Sequence, residues 1–183
     1  PKISDIIIRG GTDINLFDSP LLLCRNSGLS FEQRLFKRIF DIVVSVIGLI
    51  ILSPFMLIIA AAIKIDDGGS IIYKQKRLTI NGKEFFVYKF RSMIPNAEKN
   101  GVPQLATGSD SRITRVGKFL RKCRLDELPQ LFNIIKGDMS VVGPRPERPE
   151  LTEKYEREMP EFKFRLKVKA GLTGYAQVTG VYD

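Results

Sequence analysis

From Ile42 to Ile63 the chain reads IVVSVIGLIILSPFMLIIAAAI, 22 residues without a charge. As a straight helix they reach roughly 33 Å at about 1.5 Å per residue, the thickness of a bilayer's hydrocarbon core. Ser53-Pro54 interrupts the middle, where proline removes a backbone hydrogen bond and crowds the preceding turn, and Gly48 loosens the half before it. The pattern predicts a kink near Ser53. Arg34, Lys37 and Arg38 precede the segment, and Lys64, Lys74, Lys76 and Arg77 follow it, so both flanks favour the same side of a membrane. A helix that enters one leaflet, turns at Ser53-Pro54 and returns satisfies both flanks, with carbonyls freed near Pro54 taken up by Ser53 or its neighbours. A single span and a buried core helix are the other readings of the same length.

Downstream, the period shortens. IIYKQKRL and EFFVYKF flank Asn81-Gly82, a hairpin signal, and predict two antiparallel strands. Their alternating aromatics, Tyr73, Phe85, Phe86, Tyr88 and Phe90, read as core packing more readily than as a base-stacking surface. From about Ser111 to Arg124, Val116, Phe119, Leu120 and Cys123 fall at helical spacing, with Arg112, Arg115, Lys118, Arg121 and Lys122 on the other face. That basic face suits either solvent or anionic headgroups, and the nearby apolar segment favours headgroups. A second helix is predicted from about Pro129 to Lys136, with Gly137 as its left-handed cap. GPRPERPE, residues 143–150, is too rich in proline for regular structure, residues 150–166 return to a charged helical pattern, and KAGLTGYAQVTGVYD spaces glycines like turns around short strands. Residues 1–33 read as the end of an upstream module and a linker, 34–65 as a membrane helix, and 66–183 as a soluble domain. The expected class is α+β: a re-entrant helix-kink-helix and a mainly helical domain with a small hairpin sheet.

Composition narrows the chemistry. The chain of 183 residues is 44% apolar, enough for one folded core, and its 29 basic against 20 acidic residues leave a net charge of +9, which favours polyanionic partners. With no histidine in the chain, Ser-His and Cys-His catalysis are excluded, leaving carboxylate, lysine, tyrosine or metal-bound water. Cys24 and Cys123 stand far apart without CxxC or histidine company, so neither a zinc site nor a disulfide framework is indicated. The opening at Pro1, without a charged n-region or apolar h-region, reads as a fragment of a longer chain.

CRLDELPQ, residues 123–130, sets two adjacent carboxylates, Asp126 and Glu127, before a predicted helix start. In one reading Asp126 caps the helix, worth about 1 kcal/mol, and Glu127 is a favourable first-turn charge. In the other, one carboxylate attacks phosphorus and its neighbour binds a divalent cation that screens phosphates. Spacing alone favours the cap. The functional reading needs cations nearby, and the candidates are Lys89 in YKFRSM, Arg91 two residues on, Arg121, and Arg145 held between two prolines in GPRP. The prolines restrict the backbone around Arg145, whose guanidinium suits bidentate phosphate contact; a solvated loop arginine is the equal alternative.

Taken together, FKRIFD before the apolar segment with its central Ser-Pro, then YKFRSM, RLDELPQLFNIIKGDMSVVGPRP and AGLTGYAQV, resemble the bacterial sugar transferases that are monotopic polyprenyl-phosphate phosphoglycosyl transferases. The resemblance spans about Arg34 to Gly180. It implies an enzyme on the cytoplasmic face of the bacterial inner membrane. The reaction implied is transfer of a phosphosugar from a UDP-sugar to undecaprenyl phosphate with release of UMP, the first membrane step of exopolysaccharide, capsule or O-antigen synthesis. On the same resemblance Asp126 is the nucleophile that captures the phosphosugar covalently, and Glu127 completes the dyad. Mg²⁺ is bound around that pair, Lys89, Arg121 and Arg145 bind phosphate, and Ser53 and Pro54 break the membrane helix. Residues upstream of Arg34 suggest the larger subgroup, and the chain stops at Asp183 before a further C-terminal region expected of the family. The membrane, the UDP-sugar and the lipid phosphate are the implied partners, and nucleic acid is not. The competing class is a membrane-bound basic protein that binds acidic lipid or nucleic acid without catalysis. The sugar and the oligomeric state are not legible.

Overall fold

The computed structural model describes residues 11–16, 19–24, 29–94, 97 and 110–179, and the chain divides into two units, 1–39 and 40–183. In the first unit β1 (Gly11–Leu16) and β2 (Ser19–Cys24) pair antiparallel. The same unit carries the start of α1 (Phe31–Asp67). There Ser30 and Gln33 form a capping box: the Gln33 backbone N–H donates to Ser30 Oγ at 3.2 Å and the Ser30 N–H to Gln33 Oε1 at 3.0 Å.

In the second unit α1 continues through Ser53-Pro54 as one helix. Pro54 lacks the N–H that would bond the Ile50 carbonyl, and Ser53 Oγ donates to that carbonyl at 2.9 Å, so the orphaned acceptor is satisfied within the helix as the sequence suggested. Along α1, Asp41, Ser45, Ile59 and Ile63 are buried, and Leu49, Leu52, Met56 and Ala60 pack beside them at helical spacing. The remaining faces expose Val43, Ile47, Ile50, Ile51, Phe55, Leu57, Ile58 and Ile65.

The hairpin forms as expected from β3 (Ile72–Leu78) and β4 (Glu84–Phe90), with Ile72 opposite Phe90 and Leu78 opposite Glu84. Its turn places Asn81 at φ 59°, ψ 24° and Gly82 at φ 69°, left-handed values that Asn-Gly tolerates. Phe85 and Val87 are buried while Phe86 lies exposed, the alternation expected of a half-buried strand, and Phe90, on the other parity at the strand's end, is buried in a separate cluster. α2 is shorter than anticipated, Arg115–Lys122, because Asp110 and Arg112 form an ion-paired turn ahead of Thr114, whose hydroxyl caps Gly117 N–H. Val116 and Leu120 pack inward as expected, but Phe119 is 61% exposed and Cys123 is exposed too; helical spacing alone had placed all four on one apolar face.

A 3₁₀ turn (Leu125–Glu127) leads into α3 (Gln130–Lys136), closed by Gly137 at φ 99° as predicted. Then come β5 (Ser140–Val142), an extended loop through residues 143–148, α4 (Pro149–Glu158), a 3₁₀ segment (Pro160–Lys167), β6 (Gly171–Thr173) and α5 (Tyr175–Val178). Pro160 separates the charged stretch into two pieces, since its ring cannot continue an α-helix. Residues 175–178, expected as strand, turn helical, with the Gln177 and Val178 N–H groups donating to Gly174 O. β5 and β6 pair in parallel. They approach so closely that a Cβ on Gly171 would sit 2.1 Å from Gly143 N, so glycine is required there by contact. Two apolar clusters hold this unit: Phe85, Val87, Leu131, Ile134, Met139 and Ala170 in one, Ile59, Ile63, Phe90 and Leu120 in the other.

Candidate active site

Three elements converge on the acidic pair. The first is β4, which carries Lys89. Its position against α3 is set by Asn133, fully buried, whose Nδ2 donates to Phe86 O at 2.8 Å and whose Oδ1 accepts the Tyr88 N–H at 3.0 Å. A side-chain amide that satisfies two main-chain groups on one strand fixes that strand's height against the helix. The second element is the 3₁₀ turn, entered through Arg124 at φ 57°, ψ 18°, a left-handed conformation that ends α2 and reverses the chain. Such backbone is uncommon outside glycine and is held by its surroundings. The third is the 143–148 loop. Gly143 N–H donates to Thr173 O at 2.9 Å and Gly171 N–H to Pro144 O at 2.8 Å. Behind it Arg165 donates to Arg145 O at 2.6 Å and Arg77 to Pro146 O at 3.2 Å, while both guanidiniums flank Glu147.

The result brings Lys89, Arg145 and Glu127 together. Lys89 Nζ lies 2.7 Å and Arg145 Nη2 3.5 Å from the same oxygen, Glu127 Oε1. Burial alone would push the Glu127 carboxyl up, but Lys89, through charge and hydrogen bond, and Arg145 outweigh it and hold it below the ordinary glutamate value. Burial pulls the Lys89 ammonium below the usual lysine range, although Glu127 opposes this. Asp126 is different. It is 8% exposed and, among the described residues, receives no ion pair or side-chain hydrogen bond. Burial raises its carboxyl above the ordinary aspartate value, with the Glu127 charge adding to the rise against Lys89 and Arg121. Arg121 stands by, its Nε donating to Ser92 Oγ at 2.9 Å, where α2 rests on the end of β4 so tightly that a Cβ on Gly117 would meet Ser92 O at 2.1 Å.

Asp126 does not cap a helix. Leu128 and Pro129 already have right-handed helical dihedrals and no side chain caps α3; the 3₁₀ turn runs straight into the helix, leaving no extended cap residue between. Arg91, also a candidate cation, pairs with Asp67 at the end of α1 instead. Ser53 and Pro54 lie within α1, as described above. Sequence reading did not single out Asn133, Asp41 or the Arg77, Glu147 and Arg165 cluster, because each is defined by partners far away along the chain. Asp41 Oδ1 accepts Ser140 Oγ at 3.1 Å and the Val141 N–H at 3.0 Å, tying α1 to the strand that leads into the Arg145 loop.

Among the described residues no three His, Cys, Asp or Glu side chains cluster as a ready-made cation site. The donor set nonetheless suits magnesium, which takes one or two carboxylates and completes its shell with water and substrate phosphate: among the described residues the Asp126 carboxylate and Glu127 Oε2 carry no ion pair. Beside the dyad a small surface cleft is lined by Lys89, Glu127, Gln130, Arg145, Gly171 and Gln177, among others.

Known proteins share this sequence closely. The chain is 46% identical over 173 residues to a UDP-glucose:undecaprenyl-phosphate glucose-1-phosphate transferase of Klebsiella pneumoniae, covering 94% of this chain and 35% of that one. It is 45% identical over 146 residues to a UDP-N-acetylgalactosamine-undecaprenyl-phosphate N-acetylgalactosaminephosphotransferase of Aeromonas hydrophila, covering 80% and 34%. It is 42% identical over 177 residues to an undecaprenyl-phosphate galactose phosphotransferase of Salmonella typhimurium, covering 89% and 36%. The chain thus spans about a third of the length of these curated relatives. The family model described as bacterial sugar transferase matches residues 32–183, a stretch that holds all but the first residue of α1, the dyad, its cations and the 143–148 loop, and the chain belongs to that family.

Proposed function

We propose that the protein transfers a phosphosugar from a UDP-sugar to undecaprenyl phosphate through a covalent intermediate on Asp126. The observation that carries this reading is the contrast within the dyad: Glu127 is clamped by Lys89 and Arg145, while Asp126, buried beside it, has no ion pair among the described residues and is more basic than usual. An unpaired, basic carboxylate facing cations is suited to attack phosphorus. An Asp126 carboxylate oxygen bonds to the sugar-bearing phosphorus, the bond from that phosphorus to the bridging oxygen breaks, and UMP leaves. A phosphate oxygen of undecaprenyl phosphate then attacks the same phosphorus, which releases the Asp126 carboxylate and gives undecaprenyl-diphosphate-sugar. Lys89, Arg145 and Arg121 supply positive charge where it develops on the phosphoryl oxygens. Mg²⁺, held by Asp126 and Glu127 together with substrate phosphate, would screen charge between nucleophile and diphosphate.

The membrane reading is that α1 enters and leaves one leaflet on the cytoplasmic face of the bacterial inner membrane. Asp41 and Asp67 lie roughly 39 Å apart along an ideal helix at about 1.5 Å per residue, yet both are bonded to the same extramembrane unit, Asp41 to Ser140 and Val141 and Asp67 to Arg91. A helix tethered to one polar body near both ends is poorly placed to cross a bilayer, and its outward apolar faces suit immersion on one side. Basic flanks at both ends favour the cytoplasm. In this setting the reaction starts lipid-linked synthesis of an exopolysaccharide, capsule or O-antigen.

The test is UMP release from a panel of UDP-sugars by the full-length protein, with and without undecaprenyl phosphate and Mg²⁺. Asp126→Asn should abolish UMP release even when the lipid is omitted. Persistent release in that variant would sink the nucleophile assignment, and failure to trap a phosphosugar-protein adduct in the parent would favour direct transfer.

A further inference from the structure

The 143–148 loop carries Arg145 to the dyad without regular structure to hold it. Pro144 and Pro146 fix their own φ and push the residue before each toward extended backbone, yet proline has no N–H with which the loop could pair. The carbonyls of residues 144–147 are instead held from outside. Pro144 O accepts the Gly171 N–H at 2.8 Å and Glu147 O the Leu78 N–H at 3.0 Å. Between them, Arg145 O accepts Arg165 Nη2 at 2.6 Å and Pro146 O accepts Arg77 Nη1 at 3.2 Å. The two guanidiniums that hold these middle carbonyls share one acid: Glu147 Oε2 lies 3.7 Å from Arg77 Nη1 and Glu147 Oε1 3.8 Å from Arg165 Nη2, and all three side chains are 13% exposed. Each guanidinium is itself braced. Arg77 Nη2 donates to Gln75 Oε1 at 2.6 Å, and the Arg165 guanidinium lies 4.2 Å from the centre of the Phe162 ring, which packs on Tyr155 of α4. Burial pulls the Arg77 guanidinium down to about 10, and the Glu147 charge is the main influence against it. What the three side chains hold is the main chain of the residue that meets the dyad, since Arg145 Nη2 stands 3.5 Å from Glu127 Oε1.

We infer that Arg77, Arg165 and Glu147 are positioning residues for the transfer, holding Arg145 where its guanidinium meets the phosphoryl group. This rests on the phosphosugar-transfer reading above. The cluster acts through the Arg145 backbone. A long side chain magnifies a small rotation of its own main chain, so losing the bond to Arg145 O moves the Nη atoms further than it moves the loop. Glu147 makes the two arginines act as a pair, because without its charge two buried guanidiniums repel each other across the loop. The α4 and 3₁₀ pieces gain a role by this route, since they carry Arg165 and the ring beneath it.

The experiment measures single-turnover UMP release by the full-length protein from the UDP-sugar it uses, with Mg²⁺ and without undecaprenyl phosphate, in the parent, Arg165→Met, Arg145→Met and the double variant. The amplitude of release counts competent sites, and its rate reports the chemistry at each one. Arg165→Met, which keeps an unbranched stem on Phe162, should retain the amplitude and lower the rate by between about tenfold and a hundredfold, the scale of a misplaced contact group. Added to Arg145→Met it should lower the rate no further, because the group it positions is already gone. A merely structural role predicts the reverse: reduced amplitude at an unchanged rate, or rate losses that multiply in the double variant, and either result overturns the assignment. Glu147→Gln, which keeps the shape between the guanidiniums and deletes the charge, is read in the same cycle and serves if Arg165→Met does not fold. Absence of UMP release from every UDP-sugar by the unsubstituted protein would instead overturn the transfer reading on which the inference stands.

Discussion

Lys89 Nζ lies 2.7 Å from Glu127 Oε1, and Arg145 approaches the same oxygen at 3.5 Å, so two cations of this site converge on one carboxylate while its neighbour Asp126 has no ion pair among the described residues. The two adjacent acids therefore titrate in opposite directions, Glu127 below and Asp126 above the ordinary value. If Asp126 must be ionised to attack, UMP release rises with pH through the raised Asp126 pKa. The acid limb of the rate profile should then have its midpoint above the ordinary aspartate value of 3.8. Glu127→Gln removes a charge that raises Asp126 and should move that midpoint down. A midpoint at or below the ordinary value in the parent would contradict the scheme.

The same shift predicts a stability effect. A carboxyl whose pKa is raised on folding contributes stability that is present below its unfolded pKa and lost as pH rises through its folded pKa. At pH 8 the ionised Asp126 therefore opposes folding, and Asp126→Asn should melt at the same temperature as the parent or higher while losing UMP release. Measured by thermal denaturation, a lowered Tm at pH 8 would assign Asp126 a structural role instead.

Lys89→Met should leave Glu127 partly uncompensated in a buried setting, at a cost of about 3 kcal/mol. Adding Glu127→Gln in the same chain should recover much of the loss. Glu127, depressed on folding, contributes stability above its ordinary pKa that is lost as pH falls through its lower folded value, and in Lys89→Met this acid-side loss should shrink. Urea denaturation of the two single variants and the double variant at pH 4 and pH 7 gives the coupling.

Asn133→Leu removes the bonds to Phe86 O and Tyr88 N–H and strands two main-chain groups inside the unit. The expected cost is about 2 kcal/mol or more, read by denaturation. Because Asn133 sets Lys89 against the dyad, UMP release should fall further than stability alone explains at temperatures where the variant is fully folded.

Gly171→Ala and Gly82→Ala separate contact from conformation. A Cβ on Gly171 collides with Gly143 N at 2.1 Å, whereas one on Gly82 meets nothing within 4 Å although φ there is +69°. Gly82→Ala should cost about 1 kcal/mol, and Gly171→Ala clearly more, with loss of UMP release because the Arg145 loop is displaced. Equal melting temperatures for the two variants would refute the close approach of β5 and β6.

Much of the local structure was legible because it depends on neighbours in sequence. Asn81-Gly82 demands left-handed dihedrals and so makes a hairpin; Gly137 ends α3; Pro54 frees the Ile50 carbonyl and Ser53 is near enough to take it. The motifs around Lys89, Asp126, Glu127 and Arg145 pointed to the family, and residue types alone narrowed the chemistry to carboxylates and cations. Yet the inward position expected of Phe119 failed, since helical spacing says which residues share a face and not which face is covered, and the capping role expected of Asp126 failed because the 3₁₀ turn runs straight into α3.

What the chain by itself determined is therefore its punctuation, its apolar helix and its chemical inventory, all set by interactions over a few residues. Tertiary structure decided the assignment of roles. Arg91 went to Asp67 and Lys89 to Glu127 although the two cations stand two residues apart, Lys89 near the end of β4 and Arg91 just beyond it, and Asn133, Asp41 and Arg165 became positioning groups through partners distant in sequence. The physical reason is that charge pairing, desolvation and hydrogen-bond completion depend on distance and burial in space, which no spacing along the chain records.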